Sequence, residues 1–212
     1  AAVGYLALSA NTTANGNTAV GYQALKSNTT ASENTAMGRE ALFTNTTGVD
    51  NVAVGSAALY SNTTADHNTA VGRSALINNS TGVRNTAVGF ETLRANTTGS
   101  DNVAIGYEAL ESVTTGTHNI GIGHRTGDYN NTVTTGHFNI LIGGYCHTSS
   151  SSSARQIVMG DTVVGSADNS LTIGNGGTDS AIAFGATSIS APSDERLKEE
   201  ITTSTAGLSF VN

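Results

Sequence analysis

The sequence predicts an all-β fold, a parallel β-solenoid of 17-residue coils, and three observations support this prediction. First, a short word of the form Asn-x-Ala-x-Gly, or a close variant, recurs at a fixed step. The copies are Asn17–Gly21, Asn34–Gly38, Asn51–Gly55, Asn68–Gly72, Asn85–Gly89, Asn102–Gly106 and Asn119–Gly123, and an eighth, Asn139–Gly143, arrives three residues late. Second, 25 Gly, no Trp and only 12% charged residues exclude an ordinary helical protein and a charged disordered tail. Third, seventeen residues are too few for a helix pair but suit two short strands and two turns.

Each word is predicted to form a short strand that stacks on the same word of the next coil, about 4.8 Å away, so eight coils would make a rod of roughly 40 Å. Two apolar positions per coil are predicted to fill its interior. The first is the branched or long residue before the glycine: Val20, Met37, Val54, Val71, Val88, Ile105, Ile122 and, in the late copy, Ile142. The second is a leucine: Leu25, Leu42, Leu59, Leu76, Leu93 and Leu110.

A polar corner of the type Asn-Thr-Thr follows each leucine. Stacked Asn and Thr ladders would satisfy their own amides and hydroxyls along the rod. The same corners are Asn-x-Thr sequons, so they are also candidate N-glycosylation sites, at Asn11, Asn28, Asn45, Asn62, Asn79 and Asn96.

Small residues form a second repeated pattern beside the core positions. One valine and one leucine per coil make a thin core, so a lone rod would be marginally stable. A stripe of small side chains lets another backbone approach closely. We therefore expect several chains to pack along it, with contacts at Ala19, Gly21, Ala36, Gly38, Ala53, Gly55, Ala70 and Gly72.

The remaining side chains point to no enzyme chemistry. The five histidines lack a metal-site spacing, the acids look scattered along edges, and the glycines follow the repeat and not a strand-to-helix junction, so no metal and no cofactor is predicted. The aromatic residues that follow the core word, such as Tyr22, Phe90 and Tyr107, are expected to cover chain junctions, with a sugar-binding surface as the alternative. The net charge of −7 argues against nucleic acid, and no apolar run is long enough for membrane insertion.

Three segments are predicted along the chain: the repeat over 1–145, an irregular tapering β-rich segment over 146–192, and a different unit over 193–212. Echoes of the word continue at 157–160, 171–174 and 182–185 with shortening steps. Pro192 is the only proline in the chain. Ser193 and the acids after it have the pattern of a helix start.

The 17-residue units resemble the heads of YadA-type trimeric adhesins, whose repeats carry a similar Asn-x-Ala-Ile-Gly word, and phage fibres use the same word. The resemblance covers about residues 1 to 143. It implies a left-handed parallel β-roll assembled as a homotrimer.

A second resemblance lies at the end of the chain. The run Ser193-Asp194-x-Arg196-Leu197-Lys198-x-x-Ile201 is similar to the opening of the intramolecular chaperone of phage tailspikes and tail fibres, which trimerises chains and then cuts itself off. The resemblance implies that Ser193 is the nucleophile, that Lys198 assists it, and that the Pro192–Ser193 bond is cut in the intact parent. Only 20 residues of that unit are present, so we expect no activity in this chain.

Together these features predict a structural and adhesive fibre segment of a phage tail fibre or similar appendage, on a virion or at an extracellular surface. Its partners would be its own copies and a host-surface glycan or protein receptor. The head of a bacterial trimeric adhesin is the first alternative, and a glycan-cleaving tailspike is the second.

Overall fold

The computed structural model describes residues 1–128, 132–176 and 179–184. They form one twelve-stranded sheet in which every strand pairs with the next one along the chain. The strands are β1 (Ala2–Val3), β2 (Thr18–Val20), β3 (Thr35–Met37), β4 (Val52–Val54), β5 (Thr69–Val71), β6 (Thr86–Val88), β7 (Val103–Ile105), β8 (Ile120–Ile122), β9 (Ile140–Ile142), β10 (Gln156–Asp161), β11 (Ser170–Asn175) and β12 (Ser180–Ala183). Strands β1 to β11 are parallel, and no helix occurs among the described residues. The predicted all-β parallel β-solenoid of 17-residue coils is confirmed.

The strands stack in strict register, with Thr18, Ala19 and Val20 opposite Thr35, Ala36 and Met37. Sharp corners close each coil in so few residues. Gly21 has φ of 138°, and three non-glycine residues of the same coil, Gln23, Leu25 and Glu33, have φ of 56°, 49° and 59°. The left-handed region costs a non-glycine residue roughly 1–2 kcal/mol. The stacked neighbours must offset this cost in every coil.

Two ladders of buried asparagines hold the coils together. In the first, the Asn34 backbone N–H donates to Asn17 Oδ1 at 2.9 Å, and Asn34 Nδ2 donates to the Gly48 carbonyl at 2.9 Å. In the second, Asn45 Nδ2 donates to Asn28 Oδ1 at 3.2 Å and to the Gly48 carbonyl at 2.8 Å. The ladders therefore satisfy the polar groups of the buried interior.

From β2 to β7 the interior of each coil is lined by two alanines and one leucine, except that Thr92 replaces one alanine in the coil of β6. Ala19, Ala24 and Leu25 and their equivalents in the following coils are fully buried. The leucine column thus lies where it was expected: Leu25, Leu42, Leu59, Leu76, Leu93 and Leu110 are each 0% exposed. Since alternate residues of a strand point to opposite faces, an inward Ala19 forces Val20 outward.

The other half of the predicted core is therefore wrong. Met37 is 45% exposed, and the equivalent residues of the other coils are partly or largely exposed. The outward column is Val20, Met37, Val54, Val71, Val88, Ile105, Ile122 and Ile142. The physical reason is the width of the coil, which accommodates a methyl group opposite the leucine but no larger side chain.

The filling of the interior changes after Leu110. Gly127 takes the next place in the leucine column, and Leu141 takes the place of the inward alanine. A Cβ at Gly127 would lie 2.5 Å from Leu110 Cδ2 and 3.1 Å from Leu141 Cδ1, and a Cβ at Gly121, the inward residue of the same coil, would lie 2.5 Å from Leu110 Cγ. Leucines of the two adjacent coils therefore fill the space that the two glycines leave.

The last strands differ from the rest. β10 and β11 have six residues each, and β12 pairs antiparallel to β11, which ends the parallel stack. The predicted helix start at Ser193 lies outside the described residues.

Candidate interaction surface

The outer face of the strands is a continuous stripe of apolar and threonine side chains. Two columns form it: the exposed column of Val20 described above, and the partly exposed column two residues earlier. The second column contains Thr18, Thr35, Val52, Thr69, Thr86, Val103, Ile120, Ile140, Ile157 and Leu171. We call these two columns the strand face. Exposed apolar patches that run along a whole molecule are rare on monomers and mark interaction sites.

The alanines and glycines that were predicted as chain contacts have a different role. Ala19, Ala36, Ala53 and Ala70 are 0% exposed and line the interior of their own coil. Gly21, Gly38, Gly55 and Gly72 have φ between 134° and 140°, and a Cβ at each would collide with the carbonyl of the glycine in the next coil. The alanines thus line the interior of one chain, and the prediction that they contact a partner is wrong. The glycines are partly exposed, and their contact with a partner stays a prediction.

Two columns of longer side chains border the strand face. The leading column precedes each strand: Glu33, Asp50, His67, Arg84, Asp101, His118, Phe138 and Arg155. The trailing column follows the glycine after each strand: Arg39, Ser56, Arg73, Phe90, Tyr107, His124, Gly144 and Asp161. Neighbours in a column interact, since Arg84 Nε lies 2.6 Å from Asp101 Oδ1 and His67 Nε2 lies 3.6 Å from Asp50 Oδ2. The hydrogen bond from Arg84 lowers the pKa of Asp101.

The aromatic side chains form stacks along the rod. The ring centroids of Phe90 and Tyr107 are 5.2 Å apart, those of Tyr107 and His124 are 5.1 Å apart, and the Arg73 guanidinium lies 5.5 Å from the Phe90 centroid. A sugar ring binds an aromatic residue through the face of the ring. The inner rings of the stack have both faces covered by neighbouring rings. The predicted sugar-binding surface could therefore use only ring edges and the terminal rings.

Three carboxylates meet beside the aromatic stack, although the sequence suggested scattered acids. Glu108, Glu111 and Asp128 have oxygens within 4.8 Å of one another. Arg94 Nη1 lies 2.7 Å from Glu111 Oε1, and Arg125 Nε lies 3.1 Å from Glu108 Oε2. Burial raises the pKa of Asp128 to about 6; the nearby Glu111 adds to the rise, and a hydrogen bond from Ser112 Oγ opposes it. The cluster can therefore hold a proton near neutral pH, while two arginines neutralise the other carboxylates.

The predicted glycosylation sites are inaccessible in the folded rod. Asn28, Asn45, Asn62, Asn79 and Asn96 are 0% exposed. Each Nδ2 donates both to the preceding ladder residue and to the carbonyl three residues ahead, as Asn62 does to Asn45 Oδ1 at 2.8 Å and to Ala65 at 2.9 Å. The nitrogen that would carry the glycan is thus consumed by the fold. Asn11 is partly exposed, and its Nδ2 donates to the Ala14 carbonyl at 3.2 Å.

The residues of the predicted self-cleavage motif lie outside the described residues. These are Pro192, Ser193, Asp194, Arg196, Leu197, Lys198 and Ile201. Their roles stay predictions from the resemblance.

Sequence reasoning missed the strand face, yet a signal for it was present. The middle residue of the word is nearly always alanine, and its two neighbours are larger. In a coil this narrow, the small residue has to be the inward one.

Within the described part of the chain, no helix has the length and hydropathy needed to cross a membrane. Searches against family models, curated proteins and solved structures gave no match. The fold places the chain in a structural class, the β-solenoid repeat proteins.

Proposed function

We propose that this chain is a segment of a homotrimeric fibre, a phage tail fibre or similar appendage, in which three strand faces pack around a common axis. The observation that carries this proposal is the strand face itself. It runs along every coil from β2 to β11 and is apolar or threonine throughout. With about 4.8 Å per coil, it is roughly 45 Å long and about 10 Å wide, which gives some 450 Å² per chain.

Three such faces amount to about 1,350 Å² in the whole trimer, or about 450 Å² for each of its three interfaces. The thin interior of each coil also favours assembly. Most coils bury one leucine and two or three alanines as their apolar interior, so each chain gains limited stability from its own core. Covering the strand face would bury apolar area worth about 25 cal/mol per Å².

The biological role follows from the rod and its assembly. A trimeric rod is a spacer that holds a receptor-binding region away from a particle, and its surface can touch host glycans or a protein receptor. In the intact parent, the chaperone motif after Pro192 would bring the three chains together and then be released. Ser193→Ala in that parent should abolish a discrete C-terminal fragment, and unchanged processing would refute the assigned nucleophile.

The head of a bacterial trimeric adhesin would use the same rod and the same contacts. The adjoining parts of the parent separate the two roles. A complete chaperone after residue 212 favours the phage fibre, and a coiled-coil stalk with a membrane anchor favours the adhesin.

The assembly is tested by light scattering on the full chain at micromolar concentration. We expect three times the chain mass of 21.4 kDa. Val71→Lys places a charge on the strand face and should abolish the trimer, whereas Thr81→Lys, at an exposed corner, should leave it intact. A monomeric wild type, or a Val71→Lys variant that assembles as the wild type does, would refute the proposal.

A further inference from the structure

At two levels of the rod the leading and trailing columns carry opposite charges, whereas at a third level His67 lies opposite Arg73. Glu33 in the leading column and Arg39 in the trailing column border the same strand, β3. Arg155 precedes β10 and Asp161 is its last residue, so this level carries the same two charges with the signs exchanged. Between them, Arg84 is level with Phe90 and Asp101 is level with Tyr107. At no level among the described coils do two carboxylates face each other.

These groups cannot meet within one chain. Six residues separate Glu33 from Arg39, and the backbone between them is mostly extended, so at about 3.3 Å per residue the two lie up to roughly 20 Å apart. Glu33 takes part in none of the ion pairs of the described residues, and Arg39 pairs with its neighbour Glu40 while its side chain stays 66% exposed. The complementarity across the strand face is therefore available to another molecule.

A second copy of the chain is the partner that matches this pattern. When parallel rods pack their strand faces around an axis, the strands of one cross-section run head to tail. The end of one strand then meets the start of the neighbouring chain's strand at the same height. The leading column of one chain thus faces the trailing column of the next, which is the heterologous contact of a closed ring.

We propose that the chains assemble parallel and in register, with Glu33 of one chain paired to Arg39 of its neighbour and Arg155 paired to Asp161. This inference rests on the proposed homotrimer. The leading column supplies the acid in the first ion pair and the arginine in the second, and the two pairs lie near opposite ends of the rod. A shift by one coil would place Arg39 opposite Asp50, but it would also move Asp161 away from Arg155. A closed ring of three identical parallel chains places equal heights side by side, and the flanking charges favour this ring over a staggered, open arrangement along the nearly uniform strand face.

Cysteine cross-linking in the full chain tests the register. Glu33→Cys with Arg39→Cys in one chain should yield covalent trimers on a denaturing, non-reducing gel after mild oxidation, because each chain is linked to both neighbours. Each single variant should stay monomeric on that gel. The mismatched pair, Glu33→Cys with Arg73→Cys, lies two coils or about 10 Å out of level and should give at least tenfold less cross-linked product. The buried Cys146 is present in every sample, and the wild type serves as its control.

The outcomes separate this inference from the proposed function. Trimers by light scattering without level-matched cross-links, or with equal cross-linking of the mismatched pair, would overturn the register and leave the fibre proposal standing. Covalent dimers as the end product would support the pairing and overturn the trimer. Monomers by light scattering would overturn both. As a second test, Glu33→Arg should raise the concentration at which the trimer dissociates at least tenfold, and adding Arg39→Glu should restore it.

Discussion

The second asparagine ladder offers a test in which two equal substitutions should have different costs. Its members run from Asn11 to Asn96, and then Val113 and Val133 occupy the same column, which is buried from Asn28 onward. Each Asn Oδ1 accepts from the Nδ2 of the next coil, as Asn79 Nδ2 donates to Asn62 Oδ1 at 3.1 Å. Since Val113 has no donor, Asn96 Oδ1 is buried without a hydrogen-bond partner. The ladder therefore has one unsatisfied end.

Asn→Val replaces a ladder residue by the side chain that already fills this column at Val113 and Val133. Asn62→Val in the middle of the ladder leaves Asn45 Oδ1 without a donor and removes one acceptor from Asn79. The carbonyl of Ala65 keeps its second donor, Asn51 Nδ2, at 2.8 Å. A buried acceptor without a partner costs about 1–3 kcal/mol, and each lost hydrogen bond adds about 1 kcal/mol. We expect a destabilisation of about 2–4 kcal/mol.

Asn96→Val should be much milder, because it only moves the unsatisfied end back by one coil. Asn79 Oδ1 loses its donor, but the unpaired Asn96 Oδ1 disappears. The number of buried acceptors without a partner is unchanged. We expect a cost of about 1 kcal/mol, so the two variants should differ by about 1–3 kcal/mol.

The assay is urea unfolding followed by circular dichroism, with all proteins at one concentration so that assembly contributes equally. The midpoint should fall clearly for Asn62→Val and slightly for Asn96→Val. An equal or larger fall for Asn96→Val would refute the ladder as the source of the stability, because the side-chain change is the same in both.

Three further predictions concern single residues. Asp128 has a pKa of about 6 in the fold against an ordinary 3.8, so its protonated form stabilises the fold at low pH and is lost as pH rises through 6. Asp128→Asn should therefore raise the free energy of unfolding at pH 8 by up to about 3 kcal/mol and leave it unchanged at pH 4, as measured by unfolding at both pH values. Asp101 has a lowered pKa because of Arg84, so Asp101→Asn should have the opposite sign, a loss below about 1 kcal/mol at pH 8 that vanishes as pH falls below 4. Leu59→Ala should cost 2–5 kcal/mol, and a cost below 1 kcal/mol would show that its coil collapses to fill the space.

Much of the fold could be predicted because a fixed repeat leaves few alternatives. The step of 17 residues determined the coil, the parallel stacking and the asparagine ladders. The orientation of the strand was harder, because hydrophobicity alone favours Val20 over Ala19 as the core residue. The available width decided otherwise, and width is a property of the closed coil. The carboxylate cluster was also hidden, since Glu108 and Asp128 are brought together only by stacking of successive coils.

The exchange of Ala19 and Val20 changes where the assembly contact should lie, but the reason for assembly becomes stronger. A glycine-alanine stripe on the outside would have offered close approach with little area. The inward alanine keeps the coil narrow, and it leaves the larger valine, methionine or isoleucine of the same strand in water. Each coil thus exposes more apolar side chain on its strand face than it buries from that strand. Adding coils lengthens the rod without changing this ratio, so the chain cannot cover its strand face by growing longer. Only another molecule placed alongside can do so, and we propose that this molecule is a second copy of the chain.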